Sequence, residues 1–410
     1  MHTASLPNGM KVIIERSTSR ALYCGIVAKA GTRHEEPADS GMAHFMEHMA
    51  FKGTKQRTAR AITGLLERRG GDLSAFTTKQ ETVYYAQVLP EDFHLAADLL
   101  CDIVFQSTYP QTEIDKEVEV ICDEIESYRD SPSELIFDDF ERLLFPDQPL
   151  GRDILGNPQR LRQYTTADAL RFASKHYLPN NCVFYVYGNI DEIRAQQIIS
   201  RALIGKACRE QPLDSKSSKQ AIEPKAAPSF YQEIHKDTHQ AHVVLGAPTF
   251  GFMDPRYPAI LLINNMLGGP APNSRLNLSL RERAGLVYSV DSYLTTYPDA
   301  GLWTVYFGSD FKDVERCLRL IHKEIHNIAN QPLSQRALKA AKRQYIRQTL
   351  LSLDNFENYA ISLGKYYAHH GQPLNIDRYC QQIEALTAEQ ILSTAAEVFQ
   401  TKRISTLIYR

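Results

Sequence analysis

The sequence of 410 residues is poor in three things that would settle its class at once: patterned cysteine, an excess of one charge sign, and long apolar runs. Its seven Cys, at positions 24, 101, 122, 182, 208, 317 and 380, are odd in number, widely spread and never arranged as C-x-x-C. That argues against a disulfide framework and a Cys-ligated zinc site, so reduced thiols in a cytoplasmic compartment are expected. Lys and Arg number 46 against 48 Asp and Glu, a formal net charge of -2. The basic excess that polyanion binding needs is missing, and no nucleic-acid partner is expected. The most apolar stretch, residues 260–267, is interrupted by Asn264 and Asn265, well short of the roughly 20 residues that span a bilayer. No membrane partner is expected. The opening segment has no basic start followed by an apolar run, and Asn8-Gly9 reads as a turn opening a strand, so no signal peptide is expected.

What remains is an ordinary globular composition, 43% apolar, 10% aromatic and 23% charged. The length predicts two or three compact units at roughly 150 residues each. Residues 207–228 hold three Pro, several Ser and Lys and almost no large apolar residue, which marks a linker. The two halves that it separates repeat one another. Residues 166–170 and 387–391 lead similar helix patterns at an offset of 221, and strand patterns at 183–187 and 404–408 follow at the same offset. Strands are also expected at 12–15, 23–30 and 83–88 in the first half, and at 241–246, 289–295 and 302–307 in the second. The expected architecture is α+β: two homologous domains, 1–206 and 229–410, each about 200 residues.

The chemistry concentrates in residues 41–51, GMAHFMEHMAF. His44 and His48 are four apart on a helix-like segment, so their rings project from neighbouring turns of one face and can reach one metal. Glu47 lies beside that face, where a carboxylate can take a proton from a metal-activated water. This is the H-x-x-E-H order. A catalytic zinc wants three protein ligands, so a third is expected elsewhere on a rigid element. The acidic helix pattern over 112–129 offers candidates. With Glu117 set at 0°, Val118, Ile121, Ile125 and Tyr128 fall within about 100° on one side and Glu124 at about -20°, whereas Glu119, Asp123 and Glu126 point away as a solvated face. Glu117 and Glu124 thus border the core together, about 10 Å apart along the axis. Periodicity leaves open which of them ligates.

HFMEHMAFKGT, the acidic helix with Glu124 placed 76 residues beyond His48, and the segments 274–276 and 280–289 (LRERAGLVYS) together resemble the pitrilysin and insulinase family of zinc peptidases. The closest likeness is to its short-chain branch, which includes the mitochondrial processing peptidase, and it covers essentially the whole chain. The resemblance implies a processing-peptidase-like metallohydrolase fold, two homologous domains each with a mostly antiparallel sheet backed by helices. It implies one Zn2+ per chain on His44, His48 and Glu124, with Glu117 as an outer group and Glu47 as general base. It also implies that Arg281 and Tyr288 touch the scissile region; the ordinary alternative is a solvated helix charge and a strand core aromatic. Residues 70–77, GGDLSAFT, resemble the family's turn and edge strand, so Ser74, Ala75, Phe76 and Thr77 are expected to bind an extended peptide as an added strand. Members usually carry Asn where Ser74 stands, which puts one side-chain contact in question.

The expected function is therefore a zinc endopeptidase acting on peptides or unfolded segments in an enclosed chamber. The partner expected is a second copy of the chain, in a homodimer with shared active sites. The alternative is a non-catalytic or heterodimeric processing-peptidase-like subunit. Three other features are expected to carry no chemistry: the His235, His239, His242 spacing, which a strand pattern breaks; His369-His370, read as solvated in a turn; and a basic face of Lys339, Lys342, Arg343 and Arg347.

Overall fold

The computed structural model describes residues 1–206 and 225–410, so most of the expected linker at 207–228 lies outside the described residues. Two sheets organise the chain. The first holds β1 (His2–Ser5), β2 (Lys11–Arg16), β3 (Leu22–Ala28), β4 (Asp72–Thr77), β5 (Thr82–Val88) and β6 (Cys182–Gly188) in the order β1-β2-β6-β3-β5-β4. The second holds β7 (Tyr231–Ile234), β8 (Ala241–Thr249), β9 (Val287–Thr296), β10 (Gly301–Ser309) and β11 (Ser405–Tyr409) in the order β7-β11-β8-β10-β9.

The duplication is explicit in the ladders. β2 runs parallel to β6, and β6-β3-β5-β4 then alternate antiparallel. In the same way β7 runs parallel to β11, and β11-β8-β10-β9 alternate antiparallel. β1 is an added strand, antiparallel to β2. The helices that feed the equivalent strands β6 and β11 open on matching capping boxes, Thr165 with Asp168 and Thr387 with Gln390. In each, the Thr side chain satisfies an orphan amide of the first turn and the third residue answers it. The fold is thus the α+β arrangement of two related sheet-and-helix units.

β6 and β11 are buried along their whole length, as central strands covered on both faces must be. The covers do not all come from the same half of the sequence. One compact unit comprises Met1–Glu126, the described residues from Arg152, and Ser352–Leu374; the other comprises Ser127–Gly151, the described residues up to Leu351, and Asn375–Arg410. The expected domains of 1–206 and 229–410 therefore each donate a helix to the other's sheet. Helix Phe356–His370 lays Ala360, Leu363 and Tyr367 on Ile13, Val27, Val183 and Tyr185 of the first sheet. Helix Pro132–Leu144 lays Ile136 and Phe140 on Val244, Leu407 and Tyr409 of the second. The first crossing needs Gly364, where a Cβ would lie 2.3 Å from the Tyr185 ring.

Candidate metal centre

Helix Met42–Met49 carries the paired histidines because its other side is anchored, with Met42, Phe45, Met46 and Met49 all in the first core. Its N-cap is Gly41 at φ 80°, in the left-handed region, and a Cβ there would meet the Gly156 backbone at 2.7 Å. Glycine is required on both grounds. Gly41 has no side chain to cap the helix, so Glu35 supplies the cap: its carboxylate accepts from the Gly41 amide at 3.1 Å and the Ala43 amide at 2.8 Å. Burial pushes the Glu35 carboxyl up to about 8, against the pull of those two amides.

The four-residue spacing brings the two rings to a centroid distance of 4.6 Å. Opposite them, helix Gln111–Arg129 presents Glu124. One carboxylate oxygen, Oε2, lies 3.8 Å from His44 Nε2 and 3.5 Å from His48 Nε2. One ligand atom from each of the three residues falls within 4.8 Å of the others, and no second such group forms among the described residues. Glu117 takes a different place. Its Oε1 lies 2.9 Å from His48 Nδ1, and its Oε2 is 2.5 Å from Lys52 Nζ. That contact favours the His48 proton on Nδ1 and turns the Nε2 lone pair toward Glu124. The open alternative between the two glutamates thus has a geometric answer: Glu124 meets both Nε2 atoms, and Glu117 braces the far side of one ring.

Electrostatics follow this geometry. Burial lowers the His44 pKa to about 4, with the His48 charge acting in the same direction and Glu124 opposing both. Burial also depresses His48, but the hydrogen bonds that its ring donates to Glu117 and Glu124 outweigh it and push the group up to about 9. Glu124 is held below the ordinary carboxylate range by its hydrogen bond to His48. Two imidazole nitrogens and one carboxylate oxygen match the donor set of a three-ligand zinc site, and a cation bound there would replace the proton that His48 otherwise holds.

Glu47 is not one of the three clustered residues. Its Oε2 accepts from the Thr77 hydroxyl at 2.6 Å, and burial raises its pKa, the Thr77 bond opposing. Thr77 ends β4, and β4 is the edge of its sheet, paired only with β5 among the described strands. Ser74, Ala75, Phe76 and Thr77 therefore lie together on an edge strand joined by a side chain to the metal-motif helix. Sequence reasoning missed the Thr77 contact, the Glu35 cap and Lys52. Only Lys52 left a signal, four residues beyond His48; the other two pairings are tertiary.

Arg281 and Tyr288 belong to the second unit. Arg281 sits half-exposed in a π-helical turn, Asn277–Arg283, 3.6 Å from Glu282; such turns are rare and concentrate at functional sites. Asn277 donates to Ser274 Oγ and to the Val290 carbonyl, tying that turn to β9, which carries Tyr288. Tyr288 is 91% exposed, so it is not the strand core aromatic that is the ordinary expectation there. His369 also differs from the solvated residue expected, being hydrogen-bonded to buried Glu81 at 2.6 Å. Lys342 is buried and donates to the Glu384 carbonyl, and His242 bonds the Tyr306 hydroxyl.

Residues 11–158 match the model of the insulinase family, peptidase family M16, and residues 163–345 match that of the M16 inactive domain. The chain is 33% identical to an uncharacterized zinc protease of Streptomyces coelicolor over 96% of its own length and 86% of that protein's. It is 30% identical to the mitochondrial-processing peptidase subunit beta of Saccharomyces cerevisiae, over 98% and 89% of the two chains. The crystal structure of a protease from Helicobacter pylori superposes with a TM-score of 0.90 at 20% identity, covering 100% of this chain and 99% of that one. This chain belongs to the M16 insulinase family.

Proposed function

We propose that this protein is a zinc-dependent endopeptidase that hydrolyses peptides or unfolded segments bound extended along β4. The observation that carries the reading is the convergence of His44, His48 and Glu124 on one locus, with Glu47 on the same helix tied through Thr77 to an open strand edge. When bound there, zinc supplies Lewis acidity that activates a water and polarises the scissile carbonyl. His44, His48 and Glu124 hold the metal, and Glu117 keeps the His48 ring turned toward it. Glu47 takes the proton of the attacking water and returns it to the leaving amine; the Thr77 hydroxyl fixes its orientation.

The edge of β4 offers unpaired amides and carbonyls to an added strand. Because the Thr78 amide donates to the Glu81 carbonyl across the hairpin, antiparallel alternation turns the backbone groups of Leu73, Ala75 and Thr77 to the open side. Exposed Tyr288 and half-exposed Arg281 are proposed to contact the scissile region, with the Tyr288 hydroxyl donating to the developing oxyanion. Two-fold homodimers are the commonest closed assembly of soluble proteins, and such a dimer enclosing a peptide chamber is proposed here; the unpaired described cysteines support a cytoplasmic location. Zinc content and cleavage of an unstructured peptide by the purified chain, with and without a chelator, test the reading. Activity lost on chelation and restored by zinc is expected; a metal-loaded chain that cuts no peptide overturns it.

A further inference from the structure

The hairpin that carries β4 is held at its tip by a charged grip that the reaction does not use. Glu81 follows the turn, and its side chain is only 4% exposed. Lys365 Nζ lies 2.9 Å from its Oε1 and His369 Nε2 lies 2.6 Å from its Oε2. The Thr78 hydroxyl adds bonds to the Glu81 carbonyl and carboxylate at 3.1 and 3.2 Å. Lys365 and His369 stand one turn apart on helix Phe356–His370, the segment that the second half of the sequence contributes to the first sheet. Lys365 also lies 5.8 Å from the centroid of the Phe76 ring, on β4 itself. A second support comes from the segment before Glu35: the Thr32 and Arg33 amides donate to the Thr78 and Lys79 carbonyls at 3.3 and 2.9 Å. Thr77, adjacent to this gripped turn, is the residue whose hydroxyl meets Glu47.

A buried carboxylate held by a lysine and a histidine is a poor way to gain stability, since apolar residues of similar volume often do as well. What such a group gives is a defined place for the element that carries it. We infer that Glu81, Lys365 and His369 form a positioning clamp that fixes the hairpin, and so the register and distance of the peptide-binding strand β4 relative to the metal helix. This rests on the reading of β4 as the substrate strand. The three are positioning residues: they act through β4 and Thr77 and touch no reacting atom.

The test uses full-length, zinc-loaded protein with Glu81→Gln and Lys365→Met, and with Lys365→Arg as the conservative control. Amide exchange of residues 72–77 is followed beside that of β6 in the same sheet, together with zinc content and cleavage of a mixture of quenched fluorescent decapeptides. Expected are unchanged zinc, unchanged β6 exchange, and roughly tenfold faster exchange in β4 with KM raised roughly tenfold, the order set by one lost charge-assisted bond to a buried carboxylate. The kcat should move less than about threefold, because only ground-state placement of the peptide is impaired, and Lys365→Arg should restore KM. Unchanged β4 exchange overturns the inference, as does β6 loosening equally with β4, or loosened β4 with unaltered KM. If wild-type protein cuts nothing while the variants still loosen β4, the substrate-strand reading has failed and takes this inference with it.

Discussion

At the scale of single residues, three glutamates within one centre have different environments and should fail differently. Glu124 faces both Nε2 atoms, Glu117 faces only His48 Nδ1 and Lys52, and Glu47 faces Thr77. Glu47→Gln is expected to keep zinc at about one per chain and abolish cleavage. Glu117→Gln should weaken zinc affinity about 10 to 100-fold, the range for a group that orients a ligand, and Glu124→Gln should remove most of the metal. Metal analysis after dialysis against graded chelator checks all three. Loss of zinc in Glu47→Gln would take away its assignment as base, and a stronger loss in Glu117→Gln than in Glu124→Gln would reverse the ligand and its brace.

At the scale of elements, the question is what an edge strand does with its free side. Proline is tolerated on an edge where its missing amide is outside the ladder. Ala75 meets that condition by the alternation fixed at Thr78, so Ala75→Pro should fold and retain zinc. Its outward amide is one an added strand needs, and KM for peptide should rise about tenfold or more, the effect of a hydrogen bond removed from the binding register. Thermal denaturation and steady-state kinetics measured together decide it. A variant with native stability, full metal and unchanged KM would place the substrate elsewhere than β4.

At the scale of the whole molecule, the candidate metal centre lies in the first unit and the Arg281 and Tyr288 pair in the second. In the proposed homodimer each active site draws on both copies. Neither Glu47→Gln nor the double variant Arg281→Ala, Tyr288→Phe should cleave peptide alone. Mixed in equal amounts under free subunit exchange, they should recover about a quarter of the wild-type rate, since about half of the dimers are then mixed and each keeps one intact site. Exchange without recovery, or an active species sedimenting as a monomer, rules out the shared site.

The sequence by itself determined the local and periodic features. The four-residue spacing of His44 and His48 fixes a shared helix face whatever surrounds it, and the offset of 221 between matching patterns exposed the duplication because both copies keep the same order of apolar strands. It also narrowed the third ligand to Glu117 or Glu124, since helical periodicity reports which side of a helix a residue is on. Periodicity says nothing of what stands opposite; beyond what the family resemblance implied, it was the placement of helix Gln111–Arg129 opposite His44 and His48 that separated Glu124 from Glu117. The exchange of helices was decided at the tertiary level for the same reason. The apolar run of β6 and the Leu407-Ile408-Tyr409 end of β11 state that both faces are covered, while the covering helices, Phe356–His370 and Pro132–Leu144, lie far away in the chain. His369 shows the cost of stopping at local pattern: beside Gly371 it reads as a solvated turn residue, and its partner Glu81 is 288 residues distant, a separation that no local pattern in the sequence encodes.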